Sequence, residues 1–445
     1  MPAWLATTGA VLAVLVSFAA ISLRWPAPRP ADYSGRPLPA GLQRVLDSEL
    51  LRNCLRTVVL VFAVFVIAVA LTGPPREGLN VAPYAFYITF WVGLVPASLL
   101  LGPVWRIVNP LRFLHRGVDR LLRLTPDAGA MPMPSWLGWW PAATWLAIFV
   151  WLELVFPDRS TPQSVGSFLV FYTLVNLIAA RFYGSAWFDR GDGFEAYSTL
   201  IATMSPLGRR GDGRLVLRSP VDGVLRIRDE PGILAVVVVL VGSTAFDGVT
   251  RTRFWVEEVP SDSIILGTAG LAGMMLAILM LYLATMLVAE KLTQHPAGAR
   301  TPASQLLAAG DGGSGTVFDP APSRLPERFA PSLVPIAVGY SIAHYASLLI
   351  YEGQGTWILL SDPYATGANY FGTRAANIDY TVIPQTAVAY TQIGAIVLGH
   401  ILAVVVAHYR GVSLFDKAAA RRCQYPLMAL MLFLTGMAVT LLINT

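Results

Sequence analysis

The sequence predicts an all-α fold: a polytopic transmembrane helix bundle of about ten spans, with both termini extracytoplasmic. Three observations carry that expectation. Of the 445 residues, 55% are hydrophobic and only 13% charged, against about 25% charged in an average soluble domain. The apolar residues gather in runs of the roughly 20 residues that a helix needs to cross hydrocarbon. The basic residues fall almost entirely in alternate loops, as they do when those loops are cytoplasmic. A β-barrel is excluded, because its strands would read as short alternating segments.

The ten runs lie near 3–24, 55–73, 84–104, 136–156, 163–183, 232–250, 264–289, 330–352, 385–409 and 422–443. The first has no basic lead and is longer than the roughly 7–15 residues of a signal-peptide core, so it reads as a span. Loops after odd-numbered runs hold 27 of the 32 Lys and Arg residues, and the others hold only Arg76, Arg159, Arg251, Arg253 and Arg374. The chain reads as one integral membrane domain over residues 1–445. Its longest gap, about 184–231, is an Arg-rich cytoplasmic segment with amphipathic stretches. Residues 290–329, with His295-Pro296 and the glycine run from Gly310 to Gly315, read as a flexible cytoplasmic linker. Those glycines lack the Lys-Ser/Thr of a phosphate loop. Cys54 and Cys423 are too few for a disulfide framework or a thiolate metal site. Nothing in the net charge of +5 calls for nucleic acid.

After the third run, Arg112, Arg116, Arg120 and Arg123 recur at spacings of four, four and three, with Leu111, Leu114, Val118, Leu121 and Leu122 mainly opposite. This predicts a helix in the inner interface, its arginines on anionic headgroups. Trp105, Trp136, Trp139 and Trp140 sit near span ends, as an aromatic belt does. Gly267, Gly270 and Gly273 predict close packing of the seventh span.

Ionisable groups inside spans are costly and are candidates for function. At about 1.5 Å of rise per residue, Asp247 and Glu153 lie toward the outer ends of spans six and four. Glu352 lies at the outer mouth of span eight, and His344 about two-thirds of the way outward along it. Tyr390 and Gln392 fall in the outer half of span nine, and His400 near mid-depth. These groups predict a polar cavity open to the outside. Asp247, His344 and Glu352 are the candidate catalytic residues, and Tyr345, Tyr390, Gln392 and Gln354 the candidate substrate contacts. A divalent metal ion held by His344, His400 and Asp247 is the cofactor this set would take. His408 lies about 12 Å of helix beyond His400, too far to share an ion bound at about 2.0–2.1 Å. A plainer role competes for each histidine, since intramembrane hydrogen bonds between helices average about 0.6 kcal/mol. The loop after span eight carries Tyr351-Glu352-Gly353-Gln354-Gly355, Ser361-Asp362-Pro363-Tyr364 and Asn369-Tyr370-Phe371-Gly372-Thr373. That mixture predicts a lid.

The segments Ser243-Thr244-Ala245-Phe246-Asp247-Gly248, Ala343-His344-Tyr345-Ala346-Ser347-Leu348-Leu349, Ser361-Asp362-Pro363 and Gly399-His400 with His408 resemble a bacterial polytopic family labelled fenitrothion hydrolase. Asn109-Pro110-Leu111-Arg112 and Pro2-Ala3-Trp4-Leu5 are also similar, so the resemblance spans nearly the whole chain. It implies a membrane-bound enzyme that splits an aryl phosphorothioate ester into a phenol and a dialkyl thiophosphate. Two features depart from the family: the His-Gly lead before the first span is absent, and Tyr409 stands where an acidic residue follows the last histidine.

Two kinds of function therefore lead. An integral membrane hydrolase would admit an apolar organophosphorus ester from the outer leaflet, with His344 or Asp247 as general base or a metal-activated water. A transporter or metal- or proton-handling permease would use the same groups as a relay, with Gly339, Gly394 and Gly399 interrupting its helices. A non-catalytic subunit docking a membrane partner through its Arg-rich loops is the third reading. In each the expected location is the bacterial cytoplasmic (inner) membrane.

Overall fold

The computed structural model describes residues 3–24, 35–123, 125, 127–293 and 325–443. Ten helices correspond to the ten runs. They are α1 (Ala3–Arg24), α2 (Glu49–Thr72), α3 (Val81–Leu101), α4 (Trp140–Leu154), α5 (Pro162–Tyr183), α6 (Ile233–Thr250), α7 (Ile264–Thr293), α8 (Val334–Leu359), α9 (Gln385–Leu414) and α10 (Lys417–Ile443). Among the described residues, nine helices are long and apolar enough to cross a membrane. The exception is α4, whose 15 residues reach only about 22 Å. The protein is an all-α, multi-pass membrane bundle. The expected 290–329 linker, with its glycine run, lies mostly outside the described residues.

Local chemistry sets the helix ends. Ser48 caps α2 by accepting from the Leu51 amide, and Thr161 caps α5 just before Pro162, a proline whose missing N–H costs nothing in a first turn. Over Tyr84–Val92, α3 winds as a π-helix, closed by the Gly93 amide donating to the Ile88 carbonyl at 3.1 Å. A side chain at 93 would meet the Thr89 carbonyl oxygen at 2.1 Å, so glycine permits the wide turn. The widened segment packs on α8, where the Thr89 and Thr356 hydroxyls lie 2.8 Å apart.

Burial separates centre from rim. Val58, Val61 and Val64 of α2 are exposed, a costless arrangement in lipid, whereas most of α6 is buried from Ile233 through Gly248. Packed against α6 and α9, α8 is buried through much of its length. The α8–α9 crossing is tight: a Cβ on Gly339 would lie 2.5 Å from the Ala395 oxygen, and one on Gly399 would lie 2.6 Å from the Pro335 oxygen. These glycines were expected to interrupt helices. Instead α8 and α9 run unbroken through them, and the missing side chains let the backbones touch. In α7, Gly267 faces Val155 and Gly270 faces Trp255 and Phe246, while Gly273 meets nothing.

The 184–231 segment is more structured than its composition suggests. A helix at Gly193–Ala202 is almost wholly buried and packs among α3, α4 and Val104–Val108. Beyond it, Leu207–Arg209 and Leu215–Leu217 form an antiparallel hairpin that Arg36–Pro37 joins on its other edge. Asp47 pairs with Arg209 across this joint.

The helix at Pro110–Leu121 overturns one expectation. It buries Arg112, His115 and Asp119 and exposes Val118 and Leu121. Arg112 therefore points into the protein with His115 and Asp119, while Arg120 points out with Val118 and Leu121. Arg112 cannot meet lipid headgroups, because acids on the Gly193–Ala202 side already hold it.

Candidate functional site

Asp247 lies in the last turn of α6, and His344 and Tyr345 lie on α8. These two central helices bring the His344 Nε2 within 2.5 Å of the Asp247 Oδ2. The Tyr345 hydroxyl donates to the same oxygen at 3.2 Å. One turn beyond Asp247, the Arg251 Nε approaches its other oxygen at 3.5 Å, with the guanidinium half in solvent. The pair itself is closed: the two side chains are 6% and 8% exposed.

The imidazole is caged. Tyr340, one turn earlier on α8, stacks on it at 5.9 Å between ring centres, and Tyr345 meets it edge-on at 4.8 Å. Gly248 makes room for Tyr340, whose hydroxyl would lie 2.6 Å from a Cβ there. A second carboxylate, Glu153 of α4, acts electrostatically on Asp247 and Tyr345 and is in reach of the Trp91 indole. Trp91 in turn stacks on Tyr197, 4.3 Å away, whose hydroxyl engages Ser341. A carboxylate removed from water needs a cation, a proton or a donor. Here two carboxylates lie among one imidazole, the guanidiniums of Arg251 and Arg159, and several hydroxyl or indole donors.

The other candidates lie elsewhere. Glu352 accepts from the Tyr380 hydroxyl at 2.7 Å. Gln354 bonds the Ile350 and Asp379 carbonyls and accepts from the Asp379 amide, so both residues pin the outer loop to α8. Within that loop, Asp362 accepts from the Thr366 and Gly367 amides and pairs with Arg374. Tyr390 is 77% exposed and Gln392 partly exposed. His400 is buried, its Nδ1 2.9 Å from the Ile396 carbonyl oxygen of its own helix. His408 bonds Gln424 of α10. Among the described residues, no three His, Cys, Asp or Glu side chains converge so as to hold a metal ion. The expected set of His344, His400 and Asp247 is not assembled. The reason is steric as well as chemical, since Asp247 occupies one nitrogen of His344 while His400 turns back on its own backbone.

A second buried polar cluster was not foreseen. Arg112 forks onto Glu195 at 2.7 and 2.5 Å and also reaches Asp189 at 2.6 Å. Asn109 donates to Asp192 and Glu195, and the Tyr172 hydroxyl donates to Asp192. Burial pushes the Glu195 carboxyl up while Arg112 pulls against it. A signal was present in the sequence, because Arg112, His115 and Asp119 fall at i, i+3 and i+7 on one helix face. With this geometry in hand, the comparisons add nothing: no protein-family model, no curated protein and no solved structure matches the chain.

Proposed function

We propose that the protein is a proton-handling permease of the bacterial inner membrane, with both termini outside and the Asp247–His344 pair as its proton-exchange centre. The observation that carries this reading is the carboxylate–imidazole contact of 2.5 Å on the two central helices, shut off from bulk solvent. A bulky solute cannot reach such a pair, but a proton can, and intramembrane Asp–His sites are the usual parts of proton relays. Asp247 engages Nε2, which makes Nδ1 the nitrogen for exchange with the next group. Polar side chains continue inward through Glu153, Tyr197 and Ser341, beside a cavity of about 10 Å³, close to the volume one water needs. Further in, the Ser98 and Ser198 hydroxyls meet at 2.8 Å, one turn from Glu195.

Proteoliposomes holding a pH-sensitive dye test the reading. An imposed potential is expected to drive proton uptake in the wild type and not in Asp247→Asn or His344→Gln. Absence of uptake by correctly inserted wild type would overturn it.

A hydrolase is the second reading, and one observation favours it. Two of the segments that resemble the fenitrothion hydrolase family, 243–248 and 343–349, are brought together at Asp247 and His344. Asp247 would orient the imidazole, and His344 would take a proton from the water attacking phosphorus as the phenolate leaves. Nitrophenol release from fenitrothion by membranes carrying the wild type, and its loss in both variants, would select this reading.

A further inference from the structure

We infer that a second site, at the opposite end of α6 from Asp247, binds a phosphate group. A cavity of about 370 Å³ lies between the end of the Gly193–Ala202 helix and residues 218–230. That volume falls within the roughly 300–1,000 Å³ of small-ligand pockets. Arg218, Arg226 and Arg228 line it together with Thr199 and Thr203, and the odd-loop arginine bias assigns this face to the cytoplasm.

The wall carries three arginines and one acid. Glu230, the cavity's acid, is already taken: Arg190 holds it at 2.5 and 2.9 Å, and the Trp139 indole donates to it at 3.0 Å. Asp222, buried beside Arg218, offsets one charge. Burial together with Arg226 pushes the Arg218 guanidinium down. An anion in the cavity relieves that repulsion.

The fold also makes room for these arginines. A Cβ on Gly208 would lie 2.3 Å from the Arg218 Nε, and one on Gly223 would lie 2.8 Å from its Nη2. The Arg218 Nη2 reaches the Ala202 and Thr203 carbonyls only at 3.4 and 3.5 Å, and its Nε is buried without a hydrogen-bond partner among the described residues. Arg226 is anchored on the Arg209 carbonyl, and Arg228 stands exposed at the rim. Guanidinium forks match the oxygens of phosphate, and three of them with two hydroxyls suit its several oxygens and double charge better than a carboxylate. That phosphate belongs either to a soluble phosphate compound or to an inner-leaflet lipid headgroup.

Thermal unfolding of the purified full-length protein distinguishes the two sources. One arm titrates inorganic phosphate at constant ionic strength in detergent. The other compares phosphatidylcholine nanodiscs with and without phosphatidylglycerol. The expected result is a saturable rise in Tm in at least one arm, with apparent affinity about tenfold weaker in Arg218→Gln and in Arg228→Gln. Arg214→Gln, on an exposed side chain outside the cavity, should leave it unchanged. A response to inorganic phosphate identifies a soluble ligand, and a response to phosphatidylglycerol alone identifies a headgroup. Arg228→Gln is the decisive variant, because Arg228 is exposed and its loss leaves the fold intact. No saturable response in either arm, or an undiminished one in Arg228→Gln, overturns the proposal.

Discussion

The network around Arg112 is centred on a guanidinium, whereas the one around Asp247 is centred on an imidazole. The inner cluster sets a forked guanidinium against Glu195 and Asp189, and Asp192 accepts from Asn109, Tyr172 and two backbone amides. The Asp247 cluster has two carboxylates, one imidazole and two guanidiniums, of which Arg251 is half in solvent. A saturated network holds one arrangement and serves the fold. The Asp247–His344 pair is held instead by a contact between two helices, one tyrosine hydroxyl and a partly exposed guanidinium.

The comparison can be broken most sharply at Arg112. Arg112→Ala leaves Glu195 and Asp192 buried without their cation and should cost about 3–5 kcal/mol, read as a large fall in Tm or as failure to accumulate in membranes. His344→Gln should act in the opposite sense. Proton flux, or ester hydrolysis if that is the activity, should fall about 10²-fold or more, with Tm reduced far less than in Arg112→Ala. Equal Tm losses in the two variants would erase the distinction between the clusters.

A smaller effect is expected at the α8–α9 crossing. Gly339→Val forces a side chain into the Ala395 backbone and should cost roughly 1–3 kcal/mol, together with a loss of function from the displacement of His344. Glu230 supplies a pH test outside the spans. Its hydrogen bond from Arg190 holds the carboxyl below the usual glutamate range. The pair's stabilisation is therefore fully present above the unfolded glutamate pKa of about 4.3 and is lost as pH falls through the lower folded value. Glu230→Gln should flatten this part of the acid limb by about 1 kcal/mol or less, since both partners are partly exposed. At the weak end, Tyr390→Ala should change Tm by no more than about 0.5 kcal/mol in stability and leave flux intact. A large flux loss there would move the site toward α9.

Much of the fold was legible because lipid imposes a simple rule. A chain that must satisfy its backbone without water declares each span as a long apolar run, so a helix falls on each of the ten runs, nine of them long and apolar enough to cross a membrane among the described residues. Of the site, Asp247, His344 and Tyr345 were legible because charge inside a span is rare. Their partners were not. Tyr340 and Trp91 look like ordinary aromatics until α3 and α8 are packed, and Glu352 and Gln354 share a depth with the site but are drawn into the outer loop. The inward turn of Arg112 was missed because a basic stripe reads the same whether its counter-charge is a headgroup or Glu195, 83 residues away.

The sequence by itself determined the class of solvent, the helical fold class and which side chains had to be explained, since each follows from transfer free energies acting residue by residue. Only the tertiary structure decided which of those side chains meet. Hydrogen bonds and ion pairs depend on distances of a few ångströms between segments far apart in the chain, and helix packing alone sets those distances. That packing put Asp247 against His344 and turned His400 away.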